Sequence, residues 1–219
     1  MRTTKVLLCA AALAAGVVST KAQNVYSLNV VGYVNYTINP SFNLIANPLS
    51  ATDNHLGQIL KLPGTADGSI VLVWDTTIQD FSATSPTYVG ATQTWIPDMV
   101  LNPGQAVFLL SFNPTPFTNT YVGNVLQGAI SAPIAPAFNA ISSPVPIGGD
   151  VSVVLTGFPA NDGDIATTYD TTAQDFVNSS SYNGTTHVWV PALNINIGEG
   201  LFYLNTGAAG TWVRNFTVQ

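Results

Sequence analysis

Charged side chains make up only 7% of this 219-residue chain, and there is one cysteine, one glutamate (Glu199) and two histidines, His55 and His187. The shortage of charge excludes a coiled coil or helix-rich enzyme, whose exposed faces are laced with Glu, Lys and Arg. Five bases against eleven acids, a net charge of −6, exclude a basic face that would hold a nucleic-acid phosphate backbone. A hydrophobic fraction of 47% excludes a disordered chain. With Cys9 alone, no intrachain disulfide is available. No apolar run reaches the ~20 residues that a membrane-spanning helix needs. What is plentiful is Gly, Pro, Ser, Thr and Asn, the residues of turns and strand edges.

The first 22 residues read as an export signal. Arg2 and Lys5 form a positive start, Val6 to Val18 is apolar, and Thr20-Lys21-Ala22 ends on a small residue suited to cleavage. Cys9 sits mid-run, without the small residue that lipid modification requires just before it. Removal of residues 1–22 leaves Lys61 and Arg214 as the only bases and no cysteine. An exported chain of this kind is held by packing and sheet hydrogen bonds rather than by disulfides. The chain ends Trp212 to Gln219, which reads as a last strand, so no membrane span is expected after cleavage. A membrane β-barrel is disfavoured by short strands whose apolar runs do not alternate.

The dominant feature is an internal repeat. Residues 67–81, DGSIVLVWDTTIQDF, match residues 162–176, DGDIATTYDTTAQDF, at nine of fifteen positions with a constant offset of 95. Upstream, Gly32, Pro40, Phe42, Asn43, Ile45 and Pro48 correspond to Gly128, Pro136, Phe138, Asn139, Ile141 and Pro144. Downstream, Tyr88, Gly90, Trp95, Pro97, Asn102, Gly104 and Phe108 correspond to Tyr182, Gly184, Trp189, Pro191, Asn196, Gly198 and Phe202. The expected organisation is a signal peptide at 1–22, an N-terminal strand extension at 23–31, and β-repeat units at 32–124 and 128–219.

Within each unit the pattern is that of strands and turns. Tyr26, Leu28, Val30, Val34, Tyr36 and Ile38 alternate with a period of two around Gly32, which is expected to mark a bulge or bend. Ile70–Trp74 and Ala106–Leu110 are continuous apolar runs, as in strands buried on both faces. Thr76 to Gln79 reads as a hairpin loop, and Asn102-Pro103-Gly104 as a turn. One short helix per unit is expected, capped by Asp53 with Leu56, Ile59 and Leu60 on one face and stopped by Pro63; Asp150 with Val151, Val154 and Leu155 is its weaker copy. The fold class is therefore all-β: two tandem β-sandwich-like repeats, or one merged sandwich or barrel to which each repeat contributes half.

Phe42-Asn43-Leu44-Ile45-Ala46-Asn47-Pro48-Leu49, followed by Leu101-Asn102-Pro103-Gly104-Gln105-Ala106-Val107-Phe108, resembles a loose pattern in uncharacterised exported bacterial surface proteins with tandem β-repeats. The segment Val25 to Tyr33 is similar to the start of such proteins. The second unit departs from the pattern at Ser142-Ser143 and Ile197. The resemblance implies an extracytoplasmic β protein and carries over no activity.

Four arrangements bear on chemistry. Asp75-Thr76-Thr77 and Asp170-Thr171-Thr172 place one Asp-Thr in each homologous half, as a two-carboxylate protease would. The third position is Thr where a tight catalytic loop uses Gly, and a plainer reading makes each Asp the acceptor of an Asx turn. Asn161, Asp162 and Asp164 form an acidic cluster of the kind Ca2+ favours, although Ser69 stands where the first unit would need a second acid. A glycosidase pair and a Ser–His–Asp set are not recognisable, since Gln105 replaces Glu199 in the first unit and Gly-x-Ser-x-Gly is absent. Tyr88 with Trp95 and Tyr182 with Trp189 recur in both units, and exposed rings at these positions would form a sugar-binding platform. Sequons at Asn35, Asn178, Asn183 and Asn215 matter only in a eukaryotic secretory route. The expectation is a non-enzymatic surface or extracellular protein without a cofactor or metal, with a structural, assembly or adhesive role. Its partners would be further copies of itself or an envelope or glycan surface. A carbohydrate-binding module is the alternative, and a hydrolase built on the paired Asp-Thr-Thr loops a more remote one.

Overall fold

Each unit opens on a turn that its sequence dictates. In Asn39-Pro40-Ser41-Phe42-Asn43 the proline presets φ and Ser41 takes the left-handed region at φ 70°; in Ala135-Pro136-Ala137-Phe138-Asn139, Ala137 does so at φ 62°. A buried asparagine closes each turn. Asn43 accepts from the Asn39 N–H at 2.9 Å and donates to the Asn39 carbonyl at 2.8 Å. Asn139 accepts from the Ala135 N–H and donates to the Ala135 carbonyl, both at 2.9 Å. The structure is a computed structural model that describes residues 30–218. The leader expected at 1–22 and residues 23–29 of the extension lie outside the described residues.

The first unit comprises β1 (Val31–Ile38), β2 (Ser41–Ala46), α1 (Leu56–Ile59), β3 (Ile70–Leu72), β4 (Trp74–Asp75), β5 (Asp80–Phe81), β6 (Thr87–Val89), β7 (Thr94–Ile96), β8 (Ala106–Ser111) and β9 (Phe117–Asn124). The second comprises β10 (Gly128–Ile134), β11 (Ala137–Ile141), β12 (Gly149–Asp150), α2 (Val151–Val154), β13 (Ile165–Asp170), β14 (Asp175–Asn183), β15 (Val188–Val190), β16 (Asn194–Ile195), β17 (Leu201–Asn205) and β18 (Gly210–Phe216). Among the described residues the protein is all-β apart from these one-turn helices and a short 3-10 turn at Gly64–Ala66. Both units have the same topology. An antiparallel five-stranded sheet runs β2-β8-β3-β6-β7 in the first and β11-β17-β13-β14-β15 in the second, beside a two-stranded ribbon, β1-β9 or β10-β18. The Ile96–Pro97 and Val190–Pro191 peptides are both cis.

Two local expectations are corrected. Gly32 is not a bulge, because β1 and β9 pair in unbroken register with Gly32 opposite Gly123. The glycine pair instead makes room: a Cβ on Gly123 would lie 2.6 Å from the Ser50 carbonyl oxygen, and one on Gly32 would lie 2.9 Å from Leu49 Cδ2. Asp53 does not cap α1. The N-cap is His55 without a side-chain cap, and the Asp53 carboxylate accepts the His55 N–H at 2.9 Å one step outside the helix. The copy expected to be weaker is the one properly capped, with Asp150 Oδ1 accepting the Ser152 N–H at 2.9 Å.

Asp53 also bonds His55 Nδ1. This bond raises the His55 pKa above its ordinary value and lowers that of Asp53. The interaction is fully present between the ordinary aspartate and histidine ranges; it is lost as pH rises through the raised His55 value and again as pH falls through the lowered Asp53 value. In an NMR titration His55 should titrate above a model histidine, and Asp53→Asn should return it to the ordinary value. No change in the variant would refute the assignment.

Each unit has its own core, with Ile45, Leu56, Val71, Val107 and Tyr121 among the buried residues of the first and Val151, Ala166, Leu201, Tyr203 and Trp212 of the second. A third cluster lies between them. Leu44, Ala46, Ala106 and Phe108 are buried there, with Ala140, Tyr169 and Phe202 of the second unit packed against them. Alternation along each strand explains this: Ile45 and Val107 face their own core while Leu44 and Phe108 face the other unit. Burial on both faces is thus achieved with the second copy as the other face.

The seam also covers open sheet edges. β2 and β11 end their sheets, and an uncovered edge strand is a template for foreign pairing. The Ala46 N–H donates to the Gly198 carbonyl and the Gly200 N–H to the Leu44 carbonyl, both at 2.9 Å, so the segment before β17 lies along β2. Reciprocally, the Ser142 N–H donates to the Gly104 carbonyl at 2.9 Å, and Gln105 bridges to Ile141.

Candidate functional site

The repeated Asp-Thr-Thr-x-Gln loop joins β4 to β5 and β13 to β14. Asp75 Oδ1 accepts the Thr77 N–H at 2.8 Å, and Asp170 Oδ1 accepts those of Thr172 and Ala173 at 2.7 and 3.0 Å. Both are Asx-type turns within their own loops. Hydrogen bonds from the loop lower both carboxyl pKa values, led by the Thr77 hydroxyl at Asp75 and the Ala173 N–H at Asp170. Two carboxylates sharing one proton would instead drive one pKa up.

The glutamine of the loop reaches the other unit. Gln79 Oε1 accepts the Phe138 N–H at 2.8 Å while its amide donates to the Phe138 carbonyl at 3.3 Å. Gln174 Oε1 accepts the Phe42 N–H at 2.9 Å and its amide donates to the Phe42 carbonyl at 3.1 Å. Each glutamine sits at positive φ, 53° and 55°, and its amide also donates to a carbonyl of its own loop, Thr76 at 2.9 Å and Thr171 at 2.7 Å, so it ties the loop to the other unit. Sequence reasoning missed this clamp; the identical Gln in both loops was its one visible signal. Replacing both glutamines by alanine should cost about 2 kcal/mol in urea unfolding, since five hydrogen bonds to the other unit are lost at half-buried positions that water can partly serve. A loss below about 0.5 kcal/mol would mean water replaces the clamp at no cost.

The Asp162–Asp164 cluster is a structural staple. Asp164 is 0% exposed and accepts from the Asn161 N–H, the Thr206 N–H and the Thr206 hydroxyl, each at 2.7 Å, and from the Tyr203 hydroxyl. In the first unit Ser69 Oγ accepts the matching Phe112 N–H at 3.0 Å. Asp162 accepts the Gly184 N–H at 2.7 Å, as Asp67 accepts that of Gly90 at 2.6 Å.

The four repeated aromatics form two pairs of the same geometry. Tyr88–Trp95 and Tyr182–Trp189 both have ring centroids 5.2 Å apart at 55°. Tyr88 and Trp95 are 2% and 3% exposed and donate to the Leu62 and Leu60 carbonyls. They cannot stack on a sugar, because both ring faces are in the core. Tyr182 and Trp189 are half-buried, and Tyr182 contacts His187 Nδ1 at 3.2 Å. The two pairs do not come together as one platform.

Of the concave features where the units meet, two differ sharply in chemistry. One, of about 380 Å3, is lined only by apolar and aromatic side chains, among them Trp74, Phe81 and Phe108 from the first unit and Tyr169, Phe176 and Phe202 from the second. Trp74 meets Phe202 at 4.8 Å, and its counterpart Tyr169 meets Phe108 at 5.3 Å, both edge-to-face. The other is a polar cleft of about 1010 Å3 between β1 of the first unit and β13, β14 and β16 of the second. Its walls carry Tyr33, Asn35, Thr37, Asn178, Asn194 and Asn196, with Asp170 and Glu199 as its acids and no base. Glu199 Oε2 accepts the N–H and the amide of Asn196, both at 2.8 Å. Burial outweighs these bonds and raises the Glu199 pKa. Burial, and secondarily Glu199, raises that of Tyr36. The chain matches no family model, no curated protein and no solved structure.

Proposed function

We propose that this chain is an exported, non-enzymatic surface or extracellular protein with a structural and adhesive role. One observation carries the reading: the motif most alike in the two halves uses its polar side chains for architecture. Asp75 and Asp170 cap their own loops, and Gln79 and Gln174 fasten each unit to the backbone of the other. The leader-like start, the low charge and the resemblance to exported tandem-repeat surface proteins support the same reading. Asp164 has both oxygens engaged by buried donors, and Asp75 and Asp170 each accept from their own loops through Oδ1, which suits a scaffold better than acid–base catalysis.

The test is expression of the full chain in a bacterial host, followed by intact-mass measurement and fractionation. The expected result is cleavage after Ala22, recovery outside the cytoplasm, and sedimentation with an isolated envelope or matrix fraction or self-assembly. A hydrolase panel should show no turnover. Retention of an unprocessed cytoplasmic chain would overturn the reading, as would turnover abolished by Asp75→Asn or Asp170→Asn.

A further inference from the structure

We propose that the polar cleft between the two units is a binding site for a neutral glycan chain. The inference rests on the reading of the chain as a non-enzymatic adhesive protein and names what it would adhere to. Three features define the ligand chemistry.

The first is a free aromatic face. Tyr33 on β1 is 74% exposed and lines the cleft, which is costly for a large ring with no partner and suits stacking on the C–H face of a sugar. The second is a set of unengaged amides. The side chains of Asn178 on β14 and Asn194 on β16 line the cleft and make no hydrogen bond among the described residues. Asn35 uses its oxygen to accept from the Thr120 hydroxyl at 2.8 Å and leaves its NH2 group free. An amide both donates and accepts, as does a sugar hydroxyl, so amides read vicinal hydroxyls better than they read a charged group. The third is charge. The walls hold Asp170 and Glu199 and no Lys, Arg or His, so phosphate, sulfate and uronate groups would meet repulsion with no compensating partner.

The volume, about 1010 Å3, is at the upper end of the range for small-molecule sites and exceeds the need of a single sugar. An oligosaccharide segment fits better than a monosaccharide. In the neighbouring aromatic pocket the two polar groups of the lining, the Trp74 indole N–H and the Tyr169 hydroxyl, already donate to the Phe138 carbonyl and to Gln174 Oε1, so little is left to orient a hydroxyl-rich ligand. The walls come from both units, so the clamp and the covered sheet edges hold the site open.

The test uses the mature chain, residues 23–219, in titration calorimetry. The probes are neutral β-glucan, mannan and chito-oligosaccharides, with alginate and heparin as acidic controls. The expected result is saturable binding to at least one neutral oligosaccharide and none to the acidic polymers. Tyr33→Ala and the double variant Asn178→Ala/Asn194→Ala should each weaken binding by about tenfold or more. Phe81→Ala, in the aromatic pocket, should leave it unchanged. These cleft residues are exposed, so an unchanged unfolding midpoint verifies that the variants fold. No neutral ligand, preference for an acidic polymer, or binding unaffected by the cleft variants would overturn the assignment. Envelope sedimentation of the same variants separates the two readings. Adhesion that persists in cleft variants refutes the cleft alone, whereas loss of all adhesion and assembly in the unaltered chain refutes the adhesive role as well.

Discussion

Asp164→Ala should lose about 3–4 kcal/mol of stability, measured by urea unfolding. The carboxylate is fully buried and its two oxygens take four donors, from Asn161, Tyr203 and both the N–H and hydroxyl of Thr206. Truncation leaves those donors facing a small void that few waters can serve. Asp164→Ser should recover part of the loss, because Ser69 does the corresponding work in the first unit by accepting the Phe112 N–H and donating to the Ala66 carbonyl at 2.6 Å. Asp162→Ala is the control. That side chain is exposed and accepts one N–H, from Gly184, so about 1 kcal/mol is expected. Calcium should not raise the melting temperature of the unaltered chain, since the Asp164 oxygens are already engaged. A cost for Asp164→Ala no larger than that of the control would show that the staple is dispensable.

Gly200→Val should destabilise the protein by about 3 kcal/mol and split its unfolding into two transitions. Gly200 lies on the seam, where its N–H donates to the Leu44 carbonyl at 2.9 Å. A Cβ there would fall 2.7 Å from Ala106 Cβ and 2.9 Å from Leu44 Cγ, both on the facing sheet. The added side chain can fit only if the units separate. Separation also breaks the Ala46–Gly198 bond and exposes the edge of β2. Gly128→Ala is the matched control. Its φ is 82° with nothing within 4 Å of an added Cβ, so it should cost about 1 kcal/mol from the backbone alone, with a single transition. A single transition for Gly200→Val would mean that the two units unfold together even with the seam strained.

Arg214 illustrates how far local reading can fall short. It is one of two Lys or Arg residues after position 22, and nothing in its sequence neighbourhood marks it as internal. It is 4% exposed and donates to the Val153 and Val154 carbonyls at 3.1 and 2.6 Å, serving the C-terminal end of α2. Burial lowers its pKa. Tyr88 and Tyr182 show the complementary limit. Their pairing with Trp95 and Trp189 is the same in both units, yet only the first pair is sealed, because its hydroxyl and indole reach the Leu62 and Leu60 carbonyls after α1. The cleft residues were legible only in part. Asn35 and Asn178 were visible as sequons and Tyr33 only as the end of the segment Val25 to Tyr33, whereas Asn194 sits in no motif, and they line one cleft because β1 of one unit faces β14 and β16 of the other.

By itself the sequence determined that the chain is all-β, that it holds two copies of one pattern, and that Ala106–Leu110 contributes a buried strand; the apolar run Ile70–Trp74, expected as a second one, is divided at Val73 between β3 and β4 with only Val71 buried. What it determined follows from short-range rules: period-two patterning, turn residues and apolar runs act within a few positions. It also determined the hairpin loops, whose Asp-to-N–H bonds close within three residues. The tertiary structure decided what covers the second face of each buried strand, what the loop glutamines hold, and which side chains face one another across the cleft. Those outcomes depend on how two similar surfaces dock, and the contacts that fix the docking join residues far apart in the chain, such as Phe42 with Gln174, 132 positions away, and Leu44 with Gly200. No local pattern encodes such a pairing, because either copy alone carries the same Asp-Thr-Thr-x-Gln loop whether or not a second copy is there to receive it.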